Sequence, residues 1–335
     1  MKIDKKRANG RYYTCGNPFQ LEPFQRWARD SDLEQKIVLE PFAGAKNIPQ
    51  LIDSTQLECK EWMFYDIEPG AKGIVQRDTL ADFPKGFNVC ITNPPWLARN
   101  SATRRGLPYP ESTNYDDLYK YALEQCLTCC SWVAAIIPEA FIRSGLFQKR
   151  LCDFISLVPQ KQQSTNLESK KRKTSSMFED TEHPVGLALF APSDTTDVRV
   201  WRNNKLLGKL SELRQHLPLP SCNRSIVFND PKGNLGLFAI DNTVSASIRF
   251  CPPAELGEYR VRTHCRSITK IGVPWGVDID LLNGRLTTIR EKTYDVFLTA
   301  FKGLRRDGCY RRRLDWALAR SIIDVENLQL KMELE

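Results

Sequence analysis

Six short apolar runs, separated by segments of helix length, constrain the first half of this 335-residue chain more than any other feature. They are KIVLE (36–40), WMFYD (62–66), FNVCIT (87–92), WVAAIIP (132–138), FISLVP (154–159) and VGLALF (185–190). Several are apolar throughout, as strands covered on both faces are, where a half-solvated strand would alternate. Between runs, DDLYKYALEQCL and SGLFQKRLCD carry helical spacing. This β-α alternation predicts an α/β class: a doubly wound, Rossmann-like, mainly parallel sheet that takes its ligands at the carboxyl ends of its strands.

The residues that end those strands are therefore the candidates for chemistry. KIVLE ends at Glu40 and runs into Pro41-Phe42-Ala43-Gly44-Ala45, a small-residue turn that lets a ligand approach the backbone. WMFYD ends at Asp66, followed by Ile67; an acid there suits the two hydroxyls of a ribose. Asp78-Thr79 in VQRDTL offers an acceptor for an exocyclic adenine amino group. FNVCIT then exits through Asn93-Pro94-Pro95-Trp96. Proline fixes φ and has no N–H to donate, so the pair can neither extend a sheet nor enter a helix. The Asn93 side chain and the Pro94 carbonyl are left as preorganised acceptors beside an aromatic ring. Singly, each acid is more often a helix cap or a solvated strand end. Their ordered succession is the signal.

That set resembles the S-adenosylmethionine-dependent DNA adenine amino-methyltransferases of restriction–modification systems. EPFAG resembles the family's first motif, and Asp66 and Asp78 its ribose- and adenine-binding acids. NPPW resembles the catalytic (D/N/S)PP(Y/F/W) motif. Upstream, NGRYYTCGNPF resembles the segment at the cofactor's methionine end, placing Tyr13 and Thr14 there; AAIIPEAFIRS, with Pro138 and Phe141, resembles a later motif. One departure is Lys46, where the family commonly has a further glycine. The resemblance covers roughly residues 9–190. It implies binding of S-adenosylmethionine by Tyr13, Thr14, Glu40, Pro41, Phe42, Gly44, Asp66, Ile67, Asp78, Thr79 and Asn93. It also implies catalysis by Asn93, Pro94, Pro95 and Trp96, with Trp96 and Phe178 stacking on an adenine flipped out of the duplex.

Residues 191–335 read differently. TVSASIRF (243–250) alternates strictly and predicts a half-buried antiparallel strand with Val244, Ala246, Ile248 and Phe250 on one face. YRVRTHCR (259–266) alternates too, with Arg260, Arg262 and Arg266 on one face as either a charged edge or a DNA-reading surface. KGLRRDGCYRRR (302–313), with Arg311 and Arg312, is expected to grip phosphates, as are Arg104, Arg105, Lys171 and Arg172 in the first half. The formal charge supports a polyanionic partner: of the net +8, the first 190 residues carry +2 and the remainder +6. The expected organisation is a cofactor-binding catalytic domain over 1–192 and an α+β target-recognition domain over 193–335. The resemblance implies double-stranded DNA as the partner and, acting separately, a cognate type II restriction endonuclease.

Other readings stay open at this level. Cytosine N4 methylation uses a related motif that more often begins with serine. Enzymes acting on ribosomal RNA or on a protein glutamine share the core, and a DNA-binding module without catalysis would leave the cofactor acids without purpose. Eleven cysteines with no second CxxC pair or histidine cluster suit reduced thiols, and no metal is expected. MKIDKKRANG has no apolar segment after it and no run spans a bilayer, so a cytoplasmic protein is expected.

Overall fold

The computed structural model describes residues 17–111, 113–158, 183–257 and 267–334. The six apolar runs of the first half become strands, and a short seventh strand, β3, follows β2: β1 (Ile37–Glu40), β2 (Glu61–Asp66), β3 (Val75–Gln76), β4 (Val89–Thr92), β5 (Trp132–Pro138), β6 (Leu151–Leu157) and β7 (Val185–Phe190). β8 (Arg199–Arg202) and β9 (Lys205–Lys209) complete one sheet of order β3-β2-β1-β4-β5-β7-β6-β8-β9. β1 pairs in parallel with β2 and β4, and β4 with β5, while β7 runs antiparallel to both its neighbours. The expected doubly wound, mainly parallel sheet is the one that forms. β4 and β7 are buried at every residue, which is why their sequences do not alternate.

Helices α1 (Glu22–Asp30), α2 (Asn47–Asp53), α3 (Arg99–Arg105) and α4 (Leu118–Cys129) belong to the same unit. α1 buries Phe24 and Trp27, and the Trp27 indole N–H donates to the Phe190 carbonyl of β7 at 3.0 Å. Strands β1 to β3 step outward in one direction and β4 and β5 in the other. The chain reverses beside β1, where an open α/β sheet forms its crevice.

One expectation about local structure in this unit is corrected. The 144–153 stretch is not a helix: it turns over 144–150 and enters β6 at Leu151. Left-handed conformations at Gly145 and Phe147 interrupt the helical spacing. The chain divides into a first unit to Leu206 and a second from Leu207. Asp153 on β6, 1% exposed, accepts from Arg199 at 2.7 and 2.8 Å and from the Trp201 indole at 2.8 Å, which ties β8 to the first sheet.

The second unit is α+β. β10 (Val227–Phe228), β11 (Leu235–Phe238), β12 (Arg249–Cys251) and β13 (Ile268–Gly272) form an antiparallel sheet of order β10-β13-β11-β12. α5 (Leu210–Arg214), α6 (Ile279–Thr293), the hairpin β14 (Thr299–Leu304)–β15 (Tyr310–Arg313) and α7 (Trp316–Leu334) accompany it. Leu237, Phe250, Ile271, Leu282, Leu314 and Ile322 share its core. The predicted strand over 243–250 survives only at Arg249 and Phe250. Residues 243–248 are a loop because Asn242 Oδ1 accepts the N–H groups of Val244 and Ser245, and Asp241 Oδ1 those of Ser247 and Ile248. Val244 is left 46% exposed.

Asp241 is fully buried, and its carboxylate also takes a bidentate pair from Arg290 at 2.9 Å and Arg305 at 3.0 Å. Burial alone would raise its pKa; Arg290 and the two N–H groups hold it below the usual carboxylate range.

Candidate active site

The turn after β1 is built by β2. Asp66, last residue of β2 and 6% exposed, accepts the Gly44 N–H at 2.9 Å through Oδ2 and the Glu68 N–H at 2.8 Å through Oδ1. The Gly70 N–H donates to the Gly44 carbonyl at 3.0 Å, and a Cβ at Gly70 would stand 2.5 Å from that oxygen. The two turns therefore meet backbone to backbone, which only glycine at 70 permits. Gly44 has φ +53°, and Lys46 adopts φ +60°, ψ +42°. That is the left-handed region, and it explains why glycine suits the position Lys46 occupies. Its Nζ lies 4.1 Å from the Phe64 ring centroid.

Lys46→Gly is expected to be nearly neutral. Relief of left-handed strain, about 1–2 kcal/mol, is offset by glycine's unfolded-state entropy, about 0.5–1 kcal/mol, and by a lost cation–π contact of about 0.5–1 kcal/mol. A thermal midpoint within about 3 °C of wild type checks this. Lys46→Val, β-branched at the same φ, should fall further.

Glu40, 2% exposed, faces the same space. Burial, and then the Asp66 charge, raise its pKa well above the carboxylate range, with Lys46 partly offsetting them. Its Oε2 has no hydrogen-bond partner among the described residues. A buried acceptor of this kind is costly unless a ligand satisfies it.

Beyond β3, Asp78 Oδ1 accepts the N–H groups of Leu80 and Ala81 at 3.1 and 3.3 Å, and Asp78 itself is exposed. The Thr79 hydroxyl donates to the Pro41 carbonyl at 2.9 Å, fastening this turn to the one after β1. Ile67 is 52% exposed, an apolar side chain offered to the same opening.

These residues surround one cavity of about 670 Å³. Glu40, Phe42, Gly44, Asp66, Ile67, Asp78, Thr79 and Asn93 all line it, and Pro95 lines it as well. That volume is within the range of small-molecule sites. Pro41 and Pro94 are buried beside the wall and not part of its lining. Trp96 is 8% exposed and lies outside the lining too. In this state the ring expected to stack on a base is packed inside the protein.

Asp117 holds the segment that follows. Its Oδ1 accepts the Leu97 N–H at 3.0 Å, and Ala98 and Asp117 form an antiparallel bridge. Burial pushes the Asp117 carboxyl up to about 6, against the Tyr119 and Leu97 N–H groups that favour the charge; Asp116 adds to the rise and Lys120 opposes it. The folded protein thus binds this proton more tightly than the unfolded chain does. The associated stability is complete below about pH 4 and declines as pH rises through about 6. Asp117→Asn keeps the acceptor for Leu97 and removes the charge. At pH 7.5 it should be more stable than wild type by on the order of 1–2 kcal/mol, after discounting for partial exposure. The advantage should vanish near pH 4, as thermal melts at the two pH values would show.

Arg104 and Arg105 lie exposed in the last turn of α3. In the second unit Arg312 is 4% exposed, and its backbone N–H donates to Asp241 Oδ2 at 3.1 Å. Arg311 is half-buried, its Nε donating to the Asp241 carbonyl at 2.7 Å. Tyr13, Thr14, Lys171, Arg172, Phe178, Arg260, Arg262 and Arg266 lie outside the described residues.

Sequence reasoning missed part of the wall: Asn47, Glu68, Leu107, Pro108, Tyr109, Pro110 and Tyr121. Residues 107–110, LPYP, are cavity lining. Their paired prolines beside a tyrosine are a signal of the same kind as NPPW.

Among the described residues, no helix is long and apolar enough to cross a membrane, and no group of three His, Cys, Asp or Glu side chains could hold a metal.

No family model and no curated protein matches the chain. Solved structures resemble part of it. A protein described as the modification subunit of a type I restriction enzyme from Vibrio vulnificus YJ016 is 13% identical, with a TM-score of 0.36 over 57% of this chain and 47% of that one. This chain therefore spans about half the length of that subunit. One described as a class I S-adenosylmethionine-dependent methyltransferase from Listeria monocytogenes is 11% identical, with a TM-score of 0.34 over 56% and 68%. One described as an RNA methyltransferase from Pyrococcus horikoshii is 15% identical, with a TM-score of 0.36 over 58% and 92%. Likeness at this level assigns no activity.

Proposed function

We propose that this chain is an S-adenosylmethionine-dependent DNA methyltransferase that modifies the N6 amino group of an adenine flipped from duplex DNA. The observation that carries the reading is convergence. Three acids at or beyond the ends of β1, β2 and β3 and, at the exit of β4, Asn93 and Pro95 meet at one cavity, beside the reversal point of the sheet.

The residues present suit the cofactor. Asp66 would take the ribose hydroxyls and Asp78 the adenine amino group, and Ile67 would supply an apolar face. Glu40 offers a buried carboxyl with an unused oxygen, and a cation beside it would draw its raised pKa back down. When bound, S-adenosylmethionine supplies an activated methyl group. The adenine amino nitrogen is a weak nucleophile because its lone pair is delocalised into the ring. Asn93 Oδ1 and the Pro94 carbonyl would accept its two N–H bonds, favouring a tetrahedral nitrogen with its lone pair turned toward the methyl group. Fixed acceptors of this kind need no reorganisation during the reaction. Trp96 would reach the base only by leaving its buried position, so base capture and opening of the segment after β4 would be linked. On the family's pattern, Tyr13, Thr14 and Phe178 would complete the site.

The second unit, basic and antiparallel, would read the target. Arg260, Arg262 and Arg266 would face the bases, and Arg311, with Arg104, Arg105, Lys171 and Arg172, the backbone phosphates. A type II restriction endonuclease would act separately on the same sequence.

Single-molecule sequencing of DNA from a host expressing this chain tests the reading. N6-methyladenine at one short sequence is expected. N4-methylcytosine would move the target to cytosine, and unmodified DNA despite cofactor binding would sink the DNA methyltransferase reading.

A further inference from the structure

The stretch after Asn93-Pro94-Pro95-Trp96 leaves the sheet, forms α3 and returns as part of the cavity wall. Residues 107–110, a leucine and a tyrosine alternating with two prolines, all line the cavity. The prolines donate no backbone N–H, so the segment cannot be held by a ladder of its own.

Arg99 holds it. The Nε donates to the Tyr115 carbonyl at 3.2 Å, and Nη2 to the same carbonyl at 3.1 Å and to that of Thr113. The guanidinium lies 4.4 Å from the Tyr109 ring centroid, and the Tyr109 hydroxyl donates to the Tyr115 carbonyl at 3.1 Å. The Arg99 backbone N–H donates to the Asp116 carbonyl at 2.8 Å. A planar fork can grip two carbonyls and cover an aromatic face together, which an ammonium cannot. Beneath, Leu107 and Tyr109 pack with Leu80 and Tyr121 against a small apolar cluster that includes Leu97. Leu80 lies two residues past Asp78, and the Tyr121 hydroxyl donates to its carbonyl at 3.4 Å.

Resting on the reading of the cavity as a cofactor site, we infer that Arg99 is the positioning residue for a wall, residues 107–110, that closes the adenine end of S-adenosylmethionine. The wall sets cofactor affinity and not the rate of the transfer step.

Calorimetry on the full chain tests this with two probes: S-adenosylmethionine, and 5′-methylthioadenosine, which keeps adenine and ribose and lacks the amino acid. Arg99→Ala should weaken both about tenfold or more and raise KM for S-adenosylmethionine by the same factor. At saturating cofactor, kcat should stay near wild type. Leu107→Ala, which shortens the wall without touching the clamp, should repeat the pattern and decides the matter if Arg99→Ala does not fold. Wild-type affinity for both probes in the folded variants, or a fall in kcat at unchanged KM, overturns the inference. Wild-type protein that binds neither probe overturns the cofactor assignment itself.

Discussion

Asn93→Ala is expected to lower methyl transfer to DNA by roughly 10²–10³, the usual effect of removing one preorganised acceptor or donor. Cofactor affinity should change far less. Asn93 lines the cavity directly after the buried β4, so its backbone is set by the sheet and by two prolines, and the side chain is the part that alanine removes. Asn93→Asp keeps an acceptor oxygen and should retain measurable turnover. Single-turnover transfer of labelled methyl groups, beside calorimetry with the cofactor, separates the two effects. A variant with wild-type turnover would take Asn93 out of the reaction.

Much of this site is legible in the sequence because it sits where the chain pattern changes. β5 spans Trp132–Pro138, matching the apolar run, and β1 and β2 end on Glu40 and Asp66 as read. In a parallel sheet the end of an apolar run is also the edge of the ligand crevice, so local pattern and site location coincide. The conformation of Lys46 was not legible. A lysine carries no sign that its φ is positive; that follows from the turn closing on Gly44 and Gly70.

Long-range partners account for the other differences. The alternation over 243–250 fits a strand, but Asp241 and Asn242 capture its N–H groups locally, the competition that short polar side chains introduce. Arg312 looks like one of a surface cluster, yet it is 4% exposed, and its backbone N–H donates to the buried Asp241, which also accepts from Arg290 and Arg305. Trp96 carries no mark of burial, because a tryptophan after two prolines fits either a stacking surface or a core. The wall at residues 107–110 depends on Arg99 meeting the carbonyls of Thr113 and Tyr115, pairings invisible without the fold.

Asp66→Ala should have the largest effect on cofactor binding, and it acts through two separable routes. In the free protein it strips an acceptor from the N–H groups of Gly44 and Glu68, both partly buried. Unsatisfied buried donors cost about 1–3 kcal/mol each. Partial exposure places these near the low end, about 2 kcal/mol together, or a few degrees in the thermal midpoint. The second route is the ribose. Two charge-assisted hydrogen bonds from its hydroxyls, each on the order of 1.5–3 kcal/mol, correspond to at least a hundredfold in affinity, and a loosened Gly44 turn adds to the loss. Removing the Asp66 charge also relieves part of the rise in the Glu40 pKa, so Glu40 should ionise more readily in the variant. Asp66→Asn separates the routes. It keeps one acceptor oxygen and most of the turn, so stability should largely recover while cofactor affinity stays well below wild type. Melting curves without cofactor, alongside calorimetric titration with S-adenosylmethionine, measure the two independently. If both variants bind the cofactor like wild type while only the melting temperature of Asp66→Ala falls, Asp66 braces the turn and holds no ribose.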